Sequence, residues 1–294
     1  MAEKATGSTV PRRQLGRHLR ELRNKARLTV KAAAQQLEWS EAKMWRIETG
    51  QTSLRSHDVA LMCQVYGAPE ALSAALMGLA KETKARGWWH SYGDVIPEGF
   101  DVYIGLEGAA ASLATYESDL VPGLLQTPDY ARAVIQTLSD EDEEEIERRV
   151  RLRVERQTLL TRQTAPPTLS LVLSETALRR PAGSPSVMRA QCEHLVEASM
   201  QSNVMIRVVP LSAGPHPGVA TGAFVILRFP TTGDGTDTEP PTVYADGYTG
   251  SLYLDKPSEL EAYDKAFRGI WEAAHDEEAS RRLMTEVARS YGQD

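Results

Sequence analysis

Near the start of the chain, Glu41, Ala42, Trp45, Arg46 and Thr49 recur at the spacing of one helix face. Their side chains suit hydrogen bonding and apolar contact with the edges of base pairs. A guanidinium such as Arg46 can fork onto O6 and N7 of guanine, a carboxylate such as Glu41 can accept from a cytosine amine, and the Ala42 methyl can meet that of thymine. Trp45 is bulky for such a face, and two places stay open for it: against a sugar or thymine methyl, or folded back onto its own domain. Arg17, Lys31, Lys43 and Arg55 stand around these residues and would add phosphate affinity that is blind to sequence and weakened by salt.

Such a face is useful only if a neighbouring helix lays it into the major groove, which is roughly 12 Å wide. Residues 28–50 fit that plan. Thr29 reads as the N-cap of a short helix through Leu37, and Ser40 caps the next, whose inward positions are Met44 and Ile47 and which Gly50 ends. Ala33 and Ala34 are small where the two helices would cross. Upstream, Leu15, Leu19, Leu22 and Ala26 keep helical spacing, with Arg12, Arg13, Arg17, Arg20 and Arg23 between them. Downstream, Val59, Met62, Cys63 and Tyr66 form an apolar stripe that Gly67 terminates, and a fifth helix follows Pro69. The pattern predicts a five-helix all-α domain over 12–82, behind a disordered N-terminus at 1–11.

Charge points the same way. The 294 residues sum to −7, but residues 1–87 hold 15 basic and 8 acidic side chains whereas the remainder holds 18 and 32. Between Pro11 and Arg55 the count is 11 basic against 4 acidic, the footprint of a polyanion partner. The acidic remainder would be repelled by phosphate and suits ligands or protein contacts. No run approaches the roughly 20 apolar residues of a membrane span, and the N-terminus lacks a secretory core, so a cytoplasmic protein without a membrane partner is expected. Cys63 and Cys192 stand apart without C-x-x-C spacing and read as packing residues. No G-x-S-x-G, P-loop, H-E-x-x-H or G-x-G-x-x-G occurs, so no enzyme, catalytic residue, cofactor or metal site is expected.

Residues 88–294 read as an α+β effector or partner-binding region. An Ala-rich segment at 106–117 suggests a helix, residues 121–128 a loop, and Asp129 the start of another helix. Residues 140–162 run from acidic to basic, with Glu144 and Arg148, Glu145 and Arg149, and Glu147 and Arg151 at i, i+4. Four β-rich runs follow, at 168–174, 204–211, 223–229 and 242–245, with a helix at 186–201 after the first and further helices beyond Pro257. Gly233, Asp234 and Gly235 mark a surface hairpin or loop. Trp88, Trp89, His90 and Tyr92 could line a ligand or partner site, or seal an interdomain core. The Cys192-Glu193-His194 triplet points three ways on a helix and makes no ligand set, and His216 in Gly214-Pro-His-Pro-Gly218 reads as an exposed histidine in a rigid turn.

Residues 28–50 resemble the helix-turn-helix of the lambda-repressor and Cro-type (XRE) family, with Arg46-Ile-Glu-Thr-Gly50 at the usual end of the recognition helix. The blocks Arg86-Gly-Trp-Trp-His90, Leu120-Val-Pro-Gly-Leu-Leu-Gln-Thr127, Asp129-Tyr-Ala-Arg-Ala-Val134, Arg189-Ala-Gln191 and Gly250-Ser-Leu-Tyr-Leu254 are similar to the effector region of WhiJ-like, antitoxin-like actinobacterial regulators. The resemblance implies base reading by Glu41, Ala42 and Arg46, backbone contacts by Thr29, Lys43 and Thr49, and an internal ion pair of Arg23 with Glu48. Val30 departs from the glutamine common at its position.

The expected architecture is therefore multidomain, an all-α five-helix lambda-repressor-like domain followed by an α+β effector region. The expected function is sequence-specific, DNA-binding transcription regulation. Candidate DNA contacts are Arg17, Thr29, Lys31, Ser40, Glu41, Ala42, Lys43, Trp45, Arg46, Thr49 and Arg55. Expected partners are double-stranded DNA, a small separately encoded protein and a second copy in a homodimer. The alternative is an antitoxin-like protein that neutralises a small partner and binds DNA for autoregulation.

Overall fold

Among the described residues, six α-helices form the first unit: α1 (Thr9–Lys25), α2 (Val30–Gln36), α3 (Glu41–Glu48), α4 (Ser56–Tyr66), α5 (Glu70–Glu82) and α6 (Phe100–Ala109). They belong to a computed structural model that describes residues 9–83, 92, 96, 100–139, 142–231, 237–247 and 250–292. None of the described helices is long and apolar enough to cross a membrane. α1 starts at Thr9, ahead of the expected 12, because Pro11 falls in the first turn, where its missing N–H is not needed. The core is the expected one, with Leu15, Leu19, Leu22, Met44, Ile47, Val59 and Met62 all buried.

One device ends all of the first four helices. Leu28 N–H reaches Arg23 C=O, Trp39 N–H reaches Ala34 C=O, Gln51 N–H reaches Arg46 C=O and Ala68 N–H reaches Cys63 C=O, each a six-to-one closure. The closure puts the residue before each donor in the left-handed region: Arg27 (φ 55°), Glu38 (φ 54°), Gly50 (φ 73°) and Gly67 (φ 66°). Only two are glycines. The other two carry a modest strain that the packed turn between α2 and α3, and that between α1 and α2, must hold.

The chain divides at Ala109/Ala110. α6 packs with α1 in the first unit, so that unit runs past the 82–88 boundary suggested by composition. Arg12 is buried there, 3.6 Å from Asp101 of α6. Desolvation lowers the Arg12 pKa, and Asp101 opposes that shift.

The second unit is a six-stranded sheet with helices. In chain order come β1 (Ser112–Glu117), α7 (Pro128–Leu138), α8 (Glu143–Thr161), β2 (Thr168–Ser174), α9 (Glu175–Arg179), α10 (Pro185–Ala198), β3 (Val204–Val209), α11 (Pro217–Thr221), β4 (Phe224–Arg228), β5 (Thr242–Gly247), β6 (Gly250–Leu254), α12 (Pro257–Ala273) and α13 (Glu277–Ser290). Strand order is β3-β2-β1-β4-β5-β6. β1, β2 and β3 are parallel, and β4, β5 and β6 add antiparallel strands beside β1. Phe267 and Trp271 of α12 cover one face, over Tyr116, Val172, Phe224 and Ile226.

Two strands exceed the four expected. Residues 106–117 are not one helix: α6 stops at Ala109, and 112–117 form the central strand, with Leu113, Thr115 and Tyr116 buried. A strand covered on both faces shows no polar alternation, so its alanines mimic a helix. Glu147 likewise does not pair with Arg151; it accepts from Arg132 Nε of α7 at 2.6 Å, a tertiary contact replacing the expected i, i+4 pair.

The loop 121–127 is held by side-chain amides, two of them buried. Gln126 Nε2 donates to Val121 C=O at 2.6 Å, and Gln157 Nε2 donates to Gln126 C=O at 2.6 Å. Gln191 Oε1 accepts from Thr127 N–H at 2.7 Å while its Nε2 donates to Leu125 C=O at 2.8 Å. Two separate blocks of the family resemblance, 120–127 and 189–191, thus meet through one amide that satisfies loop backbone. Replacing Gln191 by Leu orphans both groups, and we expect a loss of about 1–3 kcal/mol for each in denaturant unfolding. An unchanged midpoint would show that the amide is not needed.

Candidate nucleic-acid interface

α2 and α3 start on side-chain caps. Thr29 Oγ1 accepts from Ala32 N–H at 3.1 Å, and Ser40 Oγ accepts from Lys43 N–H at 3.1 Å. Ala33 and Ala34 are buried where the helices cross, against Met44 and Ile47. A Cβ on Gly16 of α1 would lie 2.5 Å from Ile47 C=O and 2.9 Å from Glu48 C=O, so α1 seats its backbone on the end of α3. Gly50 combines its left-handed backbone with a space closed by Arg13, whose Cγ would be 2.6 Å from an added Cβ.

The strongest tie is ionic. Arg23 Nε donates to Glu48 Oε1 at 2.6 Å and Nη2 to Oε2 at 2.8 Å, with both side chains under one-tenth exposed. Arg23 Nη1 also reaches Leu28 C=O at 2.8 Å and Asn24 Oδ1 at 3.0 Å. Donation to the Glu48 carboxylate leads the upward shift of the Arg23 pKa. The fork joins α1, the α1–α2 turn and α3 at one point.

With α3 anchored, Glu41, Ala42, Trp45 and Arg46 lie exposed on its outer side. Trp45 is 56% exposed, so it does not fold back onto its domain. Thr49, half-buried, donates its hydroxyl to Trp45 C=O at 2.8 Å. Thr29, Lys31, Ser40 and Arg55 are exposed, and Arg17 is half-buried. Lys43 places its ammonium 3.5 Å from the centroid of the Trp39 ring, in the turn ahead of α3. Trp39 went unremarked in the sequence; an aromatic one residue before a helix cap was the available signal.

The basic surface is smaller than the residue count suggests. Arg12, Arg13 and Arg23 are buried, as is Glu48, which leaves eight basic against three acidic side chains between Pro11 and Arg55. The sign survives. Of the aromatic group further on, Trp88, Trp89 and His90 lie outside the described residues, and Tyr92 is half-buried. His194 lies on α10 beside buried Cys192, and among the described residues no group of three or more His, Cys, Asp or Glu is placed to hold a metal ion.

Residues 14–76 match a family described as a helix-turn-helix domain, and residues 100–286 match one described as a domain of unknown function, DUF5753. α6 therefore falls inside the second match although it packs with the first unit. No curated protein and no solved structure matches the chain.

Because the Arg23–Glu48 fork is buried, removing one arm strands the other. Glu48→Ala should destabilise the helical unit by about 3–5 kcal/mol, far above the ~0–1 kcal/mol of an exposed pair. Arg23→Lys, which keeps charge but loses the fork, should recover only part. Thermal unfolding of the full chain followed at α-helical wavelengths checks this; a wild-type midpoint for Glu48→Ala would contradict the anchoring role.

Proposed function

The chain belongs to the DUF5753 family, and we propose that it uses its helix-turn-helix domain as a sequence-specific, DNA-binding transcriptional regulator of the XRE type. The observation that supports this most is the exposed side of α3, where Arg46, Glu41, Ala42 and Trp45 project from a helix whose two ends are fixed by a cap and a buried ion pair. Arg46 is assigned to a guanine edge, Glu41 to a cytosine amine and Ala42 to a thymine methyl, while Trp45 covers a sugar or second methyl. Thr29, Ser40, Lys31, Arg17 and Arg55 are assigned to the phosphates. Lys43 joins them only by leaving Trp39, and Thr49 positions the helix end more than it contacts DNA.

One such helix spans few base pairs. A homodimer on a two-fold site, with half-sites roughly 34 Å apart, would supply the specificity. The acidic remainder is suited to receiving the signal rather than touching DNA, and the WhiJ-like resemblance suggests that the signal includes a small separately encoded protein.

Selection of an operator from random duplexes, followed by binding at several salt concentrations, tests the reading. Arg46→Ala should weaken the selected site by about 1–3 kcal/mol and relax preference at one base, whereas Lys31→Ala should weaken all duplexes alike and lower the salt slope by about one. Failure to enrich any sequence, or an Arg46→Ala variant with wild-type preference, would overturn the assignment.

A further inference from the structure

In the second unit the chain leaves β3 at one edge of the sheet and re-enters at β4, on the far side of β1. Residues 210–223 must therefore cross the carboxyl ends of β2 and β1. Beneath this crossing lies a cleft of about 450 Å³, within the size range of small-molecule sites. It sits outside the carboxyl ends of three parallel strands, where the order of the sheet turns from one side of β1 to the other, which is where open α/β sheets place ligands.

The crossing is built to leave space. Gly214 and Gly222 take φ of 69° and 66°, and nothing lies within 4 Å of where their Cβ atoms would be. Gly218 lies on the Tyr116 ring, only 2.4 Å from where a Cβ would fall, so no other residue lets the loop descend that far. His216 packs its ring edge-on to Tyr116, with centroids 5.8 Å apart at 87°. Its Nδ1 accepts from Gly218 N–H at 3.2 Å, which leaves the proton on Nε2 as a donor. Burial lowers the pKa of this imidazole and favours the neutral form.

The remaining groups define the ligand. Asp119 accepts from Arg180 at 2.6 Å through Oδ1 and from Ser118 at 2.7 Å through Oδ2, which leaves lone pairs for further hydroxyl donors. Ser174 and Thr176 supply two more hydroxyls, 3.1 Å apart. No lysine or arginine is among the described lining residues, and the guanidinium beside them, Arg180, is already engaged by Asp119, so the lining itself offers a phosphate no unengaged cation. Leu211 and Val219, 63% and 73% exposed, form an apolar rim able to cover a flat ring.

We propose that this cleft binds an uncharged nucleoside: adjacent hydroxyls to Asp119 and Ser118, a ring acceptor to His216 Nε2, and the ring face under Leu211 and Val219. The described lining residues all belong to the second unit, and the site does not rest on the DNA-binding reading, since titration of the full chain without DNA reports on it alone.

Equilibrium titration of the full-length protein with adenosine, uridine, guanosine and cytidine, and with their 5′-monophosphates, tests it. Saturable binding of at least one nucleoside is expected, with the matching monophosphate weaker. His216→Phe, which keeps a ring on Tyr116 but removes both the Nε2 donor and the Nδ1 acceptor of Gly218 N–H, should weaken binding at least about tenfold, the scale of one hydrogen bond. Val219→Trp, at an exposed position where the fold is not at risk, should block the mouth and abolish binding. The proposal is overturned if none of the four nucleosides binds, if a monophosphate binds as tightly as its nucleoside, or if Val219→Trp binds like wild type.

Discussion

The second helix of the helix-turn-helix, eight residues long, is too short to stand alone, and here a buried guanidinium–carboxylate fork holds its end. Arg23 and Glu48 are 25 residues apart, yet their two hydrogen bonds fix the last turn of α3 to α1. Desolvating both charges is costly, so such a pair is poor evidence of net stability against an apolar substitute. What it offers is direction: a fork matches one geometry, whereas apolar packing tolerates several. Gly16 and Gly50 belong to the same constraint, because each lets backbone approach where a side chain would force α1 and α3 apart.

Much of this unit was legible because its signals are local. Thr29 and Ser40 announce helix starts, Gly50 and Gly67 announce ends, and the leucines of α1 keep one periodicity throughout. Arg27 and Glu38 end helices by the same closure but carry no such announcement, since only tertiary packing makes a non-glycine accept that backbone. The arginines misled in a similar way. Composition treats Arg12, Arg13 and Arg23 as surface charge; the family resemblance already implied an internal place for Arg23, but only the fold reveals that Arg12 and Arg13 are buried too, with Arg12 facing an aspartate far along the chain.

The second unit was less legible because its signals are distant. β1 is recognisable as a strand only from its partners on both edges, and β6 only from its pairing with β5. The cleft is the clearest case. His216, Asp119 and Thr176 are scattered over the sequence and no motif links them, yet strand order alone forces their segments together above the sheet. The Gly214-Pro-His-Pro-Gly218 turn is rigid as its composition suggests, but its imidazole packs edge-on against Tyr116 and is only partly exposed.

The account depends most on which surface of the first unit meets the duplex. A photo-crosslinking amino acid can be placed at Ala42 on α3 and, as a matched control, at Ala74 on α5, since both alanines are exposed. On a duplex carrying the selected site, the account predicts crosslinks to bases from position 42 and none from position 74. Equal crosslinking from both, or base crosslinks from position 74 alone, would contradict it.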